Sequence, residues 1–228
     1  MAQIPTLVLT RPRAACEREA ARYEGPVVIA PVMQIVGRDV DVALDGFRGV
    51  ILTSANAVPF LPDLSDMPTY VVGARTAEAG AATRGADVRL IAQDADDLGA
   101  RLISRGDISG PLLHAHGRET RGEVAERLNK AGIETVSTVV YDQDPCDLTD
   151  AAKRVLRGST PVILPLWSPR SATLVAEQTG GLPPNVVVIA LSPAVADAWR
   201  DGTGQTPVVC AAPTSEEMSH QIDAARVR

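Results

Sequence analysis

Residues 49–80 read GVILTSANAVPFLPDLSDMPTYVVGARTAEAG, and the order of their chemistry decides the fold. A short β-branched run, Val50, Ile51 and Leu52, ends on the hydroxyl pair Thr53 and Ser54. A second run, Tyr70, Val71 and Val72, ends on Gly73 and opens into Ala74, Arg75, Thr76, Ala77, Glu78 and Ala79, a segment suited to a helix. Both runs are apolar throughout rather than alternating, so each strand is covered on two faces, as in a parallel sheet. Working outward, the same pattern places strands near 6–10, 27–31, 49–53, 69–72, 88–91, 111–115, 135–141, 161–164, 186–191 and 206–210, with helices between them. Such strand–helix alternation forces parallel pairing with right-handed crossovers and helices on both sheet faces.

The opening stretch has a counterpart. Thr53-Ser54-Ala55-Asn56-Ala57-Val58 resembles Trp167-Ser168-Pro169-Arg170-Ser171-Ala172, and the run from Val72 to Ala79 resembles that from Leu191 to Ala198. The matched turns keep the same order, which suggests a duplicated α/β unit of flavodoxin type. Five expected strands lie between residues 49 and 141, and the two before and three after them make another five. The expected organisation is therefore two flavodoxin-like doubly wound parallel-sheet domains joined by a two-stranded linker. Domain 1 is discontinuous, 1–33 and 144–228; domain 2 is inserted, 37–138; residues 32–36 and 139–145 form the paired linkers and permit hinge motion.

Composition narrows the function. The chain has 228 residues, 45% of them hydrophobic and 22% charged, inside the globular range. Only 3% are aromatic, so Val, Leu, Ile and Ala must fill the cores. A net charge of -6 without a basic run argues against nucleic acid, whose phosphates are met by clustered Lys and Arg. Cys16, Cys146 and Cys210 have no paired spacing and suggest neither a disulfide framework nor a zinc knuckle. The segment from Met1 to Pro5 leads directly into a strand without a charged leader, and no apolar stretch is long enough to span a membrane. A cytoplasmic protein with neither a membrane nor a nucleic-acid partner is expected.

In doubly wound sheets, ligands sit beyond the carboxyl ends of the strands, where helix N-termini offer unpaired N–H groups and attract anions. Small or hydroxyl residues recur at those points: Thr10-Arg11-Pro12, Thr53-Ser54, Gly73 to Thr76, Gly117, Ser168, Ser192 and Pro213-Thr214-Ser215-Glu216. Helix capping alone would select any one of them; their number on two sheets suggests a cleft lined for a polyanion. His114 and His116 share a strand face, yet no third nearby His or Cys completes a metal site. There is no Gly-x-Gly-x-x-Gly and no Gly-Lys-Ser/Thr, so nucleotide motifs are absent. No Ser, His and acid arrangement stands out, and His220 belongs to a polar C-terminal helix.

Leu9-Thr10-Arg11-Pro12, Leu52 to Val58, Val72 to Ala77, His116-Gly117 with Arg121, Val140-Tyr141, Ser168-Pro169 and Pro213-Thr214 together resemble the uroporphyrinogen-III synthase family. The resemblance runs in order along nearly the whole chain. It implies two flavodoxin-like domains, the first built from both chain ends. It also implies cyclisation of the linear tetrapyrrole hydroxymethylbilane, with ring D inverted through a spiro intermediate and water lost. Neither metal nor organic cofactor is implied.

By the same resemblance Tyr141 assists departure of the substrate hydroxyl and Thr76 places a hydroxyl in the cleft. Arg11, Ser54, Asn56, Gly73, Gly117, Ser168, Ser192 and Thr214 contact substrate carboxylates, partly through backbone amides. Packing by Tyr141 and helix capping by Thr76 are the competing readings. Two departures stand out: Ser192-Pro193-Ala194-Val195 replaces the common Gly-Pro-Thr-Thr, and His116 stands where arginine is common. The expected partner is the tetrapyrrole alone, bound by a monomer that can transiently meet the preceding enzyme of the pathway. A non-catalytic binder of tetrapyrroles or other polycarboxylates is the alternative.

Overall fold

The ten expected strands all form, and an eleventh joins them. The computed structural model describes residues 3–119 and 123–226. The chain divides into two compact units: unit 1 comprises Met1–Gln34 and Asp144–Arg228, and unit 2 comprises Ile35–Gln143.

Unit 1 is built on β1 (Thr6–Leu9), β2 (Val27–Ile29), β9 (Val162–Leu166), β10 (Val186–Ala190) and β11 (Val208–Val209). Their order across the sheet is β11-β10-β9-β1-β2, and every pairing is parallel. Helices α1 (Arg13–Ala20), α5 (Asp150–Arg157), α6 (Pro169–Thr179), α7 (Pro193–Thr203) and α8 (Ser215–Arg226) cover it. Alternation along β1 divides the core: Val8 joins Leu156, Val175 and Trp199 on one side, while Leu7 and Leu9 meet Cys16, Met218 and Ile222 on the other.

Unit 2 holds β3 (Met33–Gly37), β4 (Gly49–Leu52), β5 (Pro68–Val72), β6 (Asp87–Ala92), β7 (Leu112–Gly117) and β8 (Thr135–Pro145), in the order β3-β8-β7-β4-β5-β6. The five strands β4 to β8 pair in parallel. Its helices are α2 (Ala74–Arg84), α3 (Ala95–Arg105) and α4 (Val124–Lys130). Val50, Leu52 and Ala115 pack with Val58 and Ala77 on one face; Ile51 and Leu112 pack with Leu98, Leu102 and Leu128 on the other. Strands β4, β7 and β9 are buried along their whole length, which accounts for the unbroken apolar character of β4 and β9; β7 buries His114 and His116 among its apolar residues.

Three differences from the sequence reading have physical causes. Residues 32–36, expected as one of the paired linkers, fall largely in strand β3, Met33–Gly37, which pairs with β8, so the second sheet has six strands rather than five. The segment after β4 is a 3-10 helix, Ala55–Phe60, containing Pro59; proline lacks an amide proton and crowds the preceding turn, which disfavours an α-helix there. The duplication is also not a simple repeat. Counted along the chain, unit 1 has the flavodoxin order 2-1-3-4-5. Unit 2 gives that order only when counting starts at β7 and β8 and continues through β4, β5 and β6. It is a circular permutation of unit 1, with β4 and β5 standing where β9 and β10 stand, as the matched turns require.

Candidate active site

Each sheet reverses its winding at one place, between β1 and β9 in unit 1 and between β7 and β4 in unit 2. Such a switch point opens a crevice beyond the carboxyl ends of its two strands. Register makes the two crevices comparable. Leu7 pairs with Ile163, and Leu112 pairs with Gly49. Aligning Trp167 with Thr53 therefore aligns Arg11 with His116 and Pro12 with Gly117.

In unit 1 the guanidinium carbon of Arg11 lies 4.3 Å from the centre of the Trp167 ring. The Cys16 thiol donates to the Arg11 carbonyl at 2.9 Å, and burial, as the main cause, pushes that thiol's pKa up to about 11, so it remains a donor. Thr10 is 1% exposed, and its hydroxyl has no hydrogen-bond partner. Ser168 begins α6 with a reciprocal capping box: its hydroxyl accepts from the Ser171 amide at 3.2 Å, and the Ser171 hydroxyl accepts from the Ser168 amide at 3.2 Å. Ser192 caps α7 in an extended conformation, but its side chain makes no capping bond. The Thr214 hydroxyl accepts from the Glu217 amide at 3.2 Å.

Unit 2 fills its crevice differently. His114 Nε2 is 3.3 Å from Thr53 Oγ1, and the His114 and His116 rings lie 4.7 Å apart. His116 Nδ1 donates to the Gly117 carbonyl at 2.7 Å, and its Nε2 hydrogen-bonds with the Ser137 hydroxyl at 2.6 Å. Burial first, and the neighbouring His116 second, depress the His114 pKa from 6.5 to about 3. His114 Nδ1 is buried without a partner. Among the described residues, no group of three or more His, Cys, Asp or Glu could hold a metal ion.

Register places Gly117 opposite Tyr141. A β-carbon on Gly117 would fall 2.8 Å from the Tyr141 hydroxyl and nearer still to the ring, so only glycine admits this approach. Tyr141 is 3% exposed and stacks on Phe60, with ring centres 6.2 Å apart. Arg118 and Arg38 both pair with Asp142, at 2.7 and 2.9 Å, fixing the backbone beside it. Ser54 starts the 3-10 helix, its hydroxyl accepting from the Asn56 amide at 3.2 Å. Gly73 caps α2 at φ +79°, a conformation that favours glycine. Thr76 lies within α2 and is 4% exposed. Its counterpart in the matched turn of unit 1, Val195, is 1% exposed.

The candidate residues thus fall in two sets. Arg11, Ser168, Ser192 and Thr214 belong to unit 1, while Ser54, Asn56, Gly73, Thr76, Gly117 and Tyr141 belong to unit 2. Arg121 lies outside the described residues. Trp167, His114 and Ser137 are not marked as ligand contacts by the sequence pattern, and Thr53 is marked only as part of the hydroxyl pair Thr53-Ser54. One signal for Trp167 was available: it is one of only two tryptophans and ends a strand in an aromatic-poor chain.

The fold defines a class, α/β proteins built of two parallel-sheet units whose strand orders each reverse at one point. The family model described as uroporphyrinogen-III synthase HemD matches residues 15–220, and the chain belongs to that family. Its fold is similar to that of the uroporphyrinogen-III synthetase of Helicobacter pylori 26695, with TM-score 0.71 at 15% identity, covering 99% of this chain and 100% of that one. A mutant uroporphyrinogen III synthase from the extremely thermophilic bacterium Thermus thermophilus aligns with TM-score 0.51 at 15% identity, covering 97% and 98%. A sequence search of curated proteins gives no match. Among the described residues, no helix is long and apolar enough to cross a membrane.

Proposed function

We infer that this chain is a cyclising lyase of tetrapyrrole biosynthesis, closing hydroxymethylbilane to uroporphyrinogen III with inversion of ring D and loss of water. The observation that carries this reading is the family match across residues 15–220. The strand-end turns supply suitable chemistry, because helix-end amides and hydroxyls act on carboxylates at short range. The net charge of -6 is felt mainly at longer range and is screened over about 8 Å at physiological salt.

In this mechanism Arg11, Ser54, Asn56, Gly73, Gly117, Ser168, Ser192 and Thr214 hold substrate carboxylates. Tyr141 donates a proton to the departing hydroxyl. Its packing on Phe60 and against Gly117 limits where the phenol can point, which suits a positioned acid. Thr76 adds a hydroxyl to the same machinery. The enzyme works in the cytoplasm as a monomer, with transient access to the preceding enzyme of the pathway.

Purified protein given freshly generated hydroxymethylbilane is expected to yield the type III isomer. Formation of only the symmetric type I product, which arises spontaneously, refutes the activity. Tight binding without turnover would point instead to a tetrapyrrole-binding protein.

A further inference from the structure

We propose that Asp142 is a positioning residue: its carboxylate ties Arg38 and Arg118 together across strand β8 and so fixes where the Tyr141 phenol points. This rests on the reading that Tyr141 is the acid of the reaction.

Three observations within unit 2 meet at that point. First, the pairing of β7 with β8 shifts there: His116 stands opposite Val139 and Gly117 opposite Tyr141, so Val140 is an extra residue. An extra residue in one strand disrupts the ladder locally and re-aims the neighbouring side chain. Second, two arginines supply backbone bonds at the disrupted level. The Arg38 amide, just past the end of β3, donates to the Val140 carbonyl at 3.0 Å, and the Arg118 amide, just past the end of β7, donates to the Tyr141 carbonyl at 3.0 Å. Third, one carboxylate joins both side chains: Arg118 Nε donates to Asp142 Oδ1 at 2.7 Å and Arg38 Nη1 to Asp142 Oδ2 at 2.9 Å. Val140, Tyr141 and Asp142 are thus held one after another from the two flanking segments. Arg118 also follows Gly117, the residue that admits the Tyr141 ring, so the same clamp fixes the phenol and the wall it lies against to one another. The side chains of Asp142, Arg38 and Arg118 are 25%, 35% and 56% exposed, and ion pairs open to water to that degree add little to folding. Their effect is therefore on the aim of the phenol rather than on stability.

A double-mutant cycle on the full chain tests this. Asp142→Ala should lower kcat for hydroxymethylbilane about tenfold, with KM within about twofold and the melting temperature nearly unchanged. Asp142→Asn keeps one acceptor oxygen and should recover to within about threefold of wild type. In a Tyr141→Phe background Asp142→Ala should cost nothing more, because Asp142 acts through the phenol. A rise in KM at constant kcat, an equal loss of kcat with and without the Tyr141 hydroxyl, or a kcat that falls only in step with the melting temperature would each overturn the proposal. Fluorine NMR of protein carrying fluorotyrosine reads the ring without turnover: the chain has three tyrosines, and the Tyr141 signal is the one lost in Tyr141→Phe. That signal should be single in wild type and move or split in Asp142→Ala; an unmoved signal refutes the clamp. Should Asp142→Ala fail to fold, Asp142→Asn reads the same change at smaller size. Wild-type isomer formation is scored separately. If Tyr141→Phe turns over as wild type does, the acid role fails while the fluorine signal still decides the clamp, so the two failures remain distinguishable.

Discussion

Units 1 and 2 share one strand arrangement but complete their switch points with opposite chemistry. Unit 1 places a permanent cation on an aromatic ring, Arg11 over Trp167. Unit 2 uses imidazoles and hydroxyls, His114 with Thr53 and His116 with Ser137, beside a glycine that admits a tyrosine ring. The shared frame fixes where strand ends lie, and the side chains added there decide what each crevice does. Unit 1 thus ends in a cation stacked on a ring, whereas unit 2 is closely packed and sensitive to small additions and to protons.

The largest expected effect tests that packing. Gly117→Val puts a branched side chain into the Tyr141 ring, whereas Pro12, its counterpart in unit 1, already fills that position. Overpacking should cost about 1–3 kcal/mol of stability, and displacement of the phenol should lower kcat about a hundredfold. Urea unfolding and turnover measure the two separately. Wild-type values would mean that unit 2 is no more tightly built than unit 1.

Tyr141→Phe keeps the ring and removes only the oxygen. Turnover should fall about tenfold to a hundredfold, towards the lower figure, with melting temperature and product affinity nearly unchanged. Unaltered turnover would reduce Tyr141 to a packing residue.

Acid should separate the units next. The unfolded His114 side chain takes up a proton below about pH 6.5, while in the folded protein burial defers uptake to about pH 3. The folded pKa lies below the unfolded one, so stability present above pH 6.5 is lost as pH falls through that window, by about 1.4 kcal/mol per pH unit. His114→Asn should flatten the pH dependence by about one proton in urea titrations between roughly pH 4.5 and 7. The only histidine of unit 1, His220, has a 72% exposed side chain, so unit 1 holds no buried imidazole.

The smallest effect compares two caps in unit 1. Ser168→Ala breaks a capping box and should cost about 1 kcal/mol, whereas the side chain of Ser192 makes no capping bond and Ser192→Ala should cost a few tenths at most. If Ser192→Ala instead raises KM without loss of stability, its hydroxyl belongs to the substrate.

Strand positions were legible in the sequence because β4 and β9 are buried on both faces and are apolar throughout, and β7 departs from that only at His114 and His116. Strand β3 was harder to read: its burial runs from Met33 through exposed Gln34, and its pairing depends on β8, about a hundred residues away in the chain. The permutation was hidden because two matched turns preserve order under either connectivity, and only the sheet order separates them. Strand-end hydroxyls identified candidate contacts such as Ser54 and Ser168. Contacts between distant segments, Thr53 with His114 and Arg11 with Trp167, depend on register, which no local pattern carries.

The split of unit 1 around unit 2 has a consequence for synthesis. Leu7 on β1 must wait for Ile163 on β9, while all six strands of the second sheet lie within residues 33–145. As the chain leaves the ribosome from its N-terminus, the later unit is the first able to close its sheet. Strands β1 and β2 meanwhile hold an apolar edge without its partner, and the six-stranded sheet grows behind them. The oldest part of the chain is therefore the last to become native, and its exposed strands form the stretch that a nascent-chain chaperone has most reason to shield.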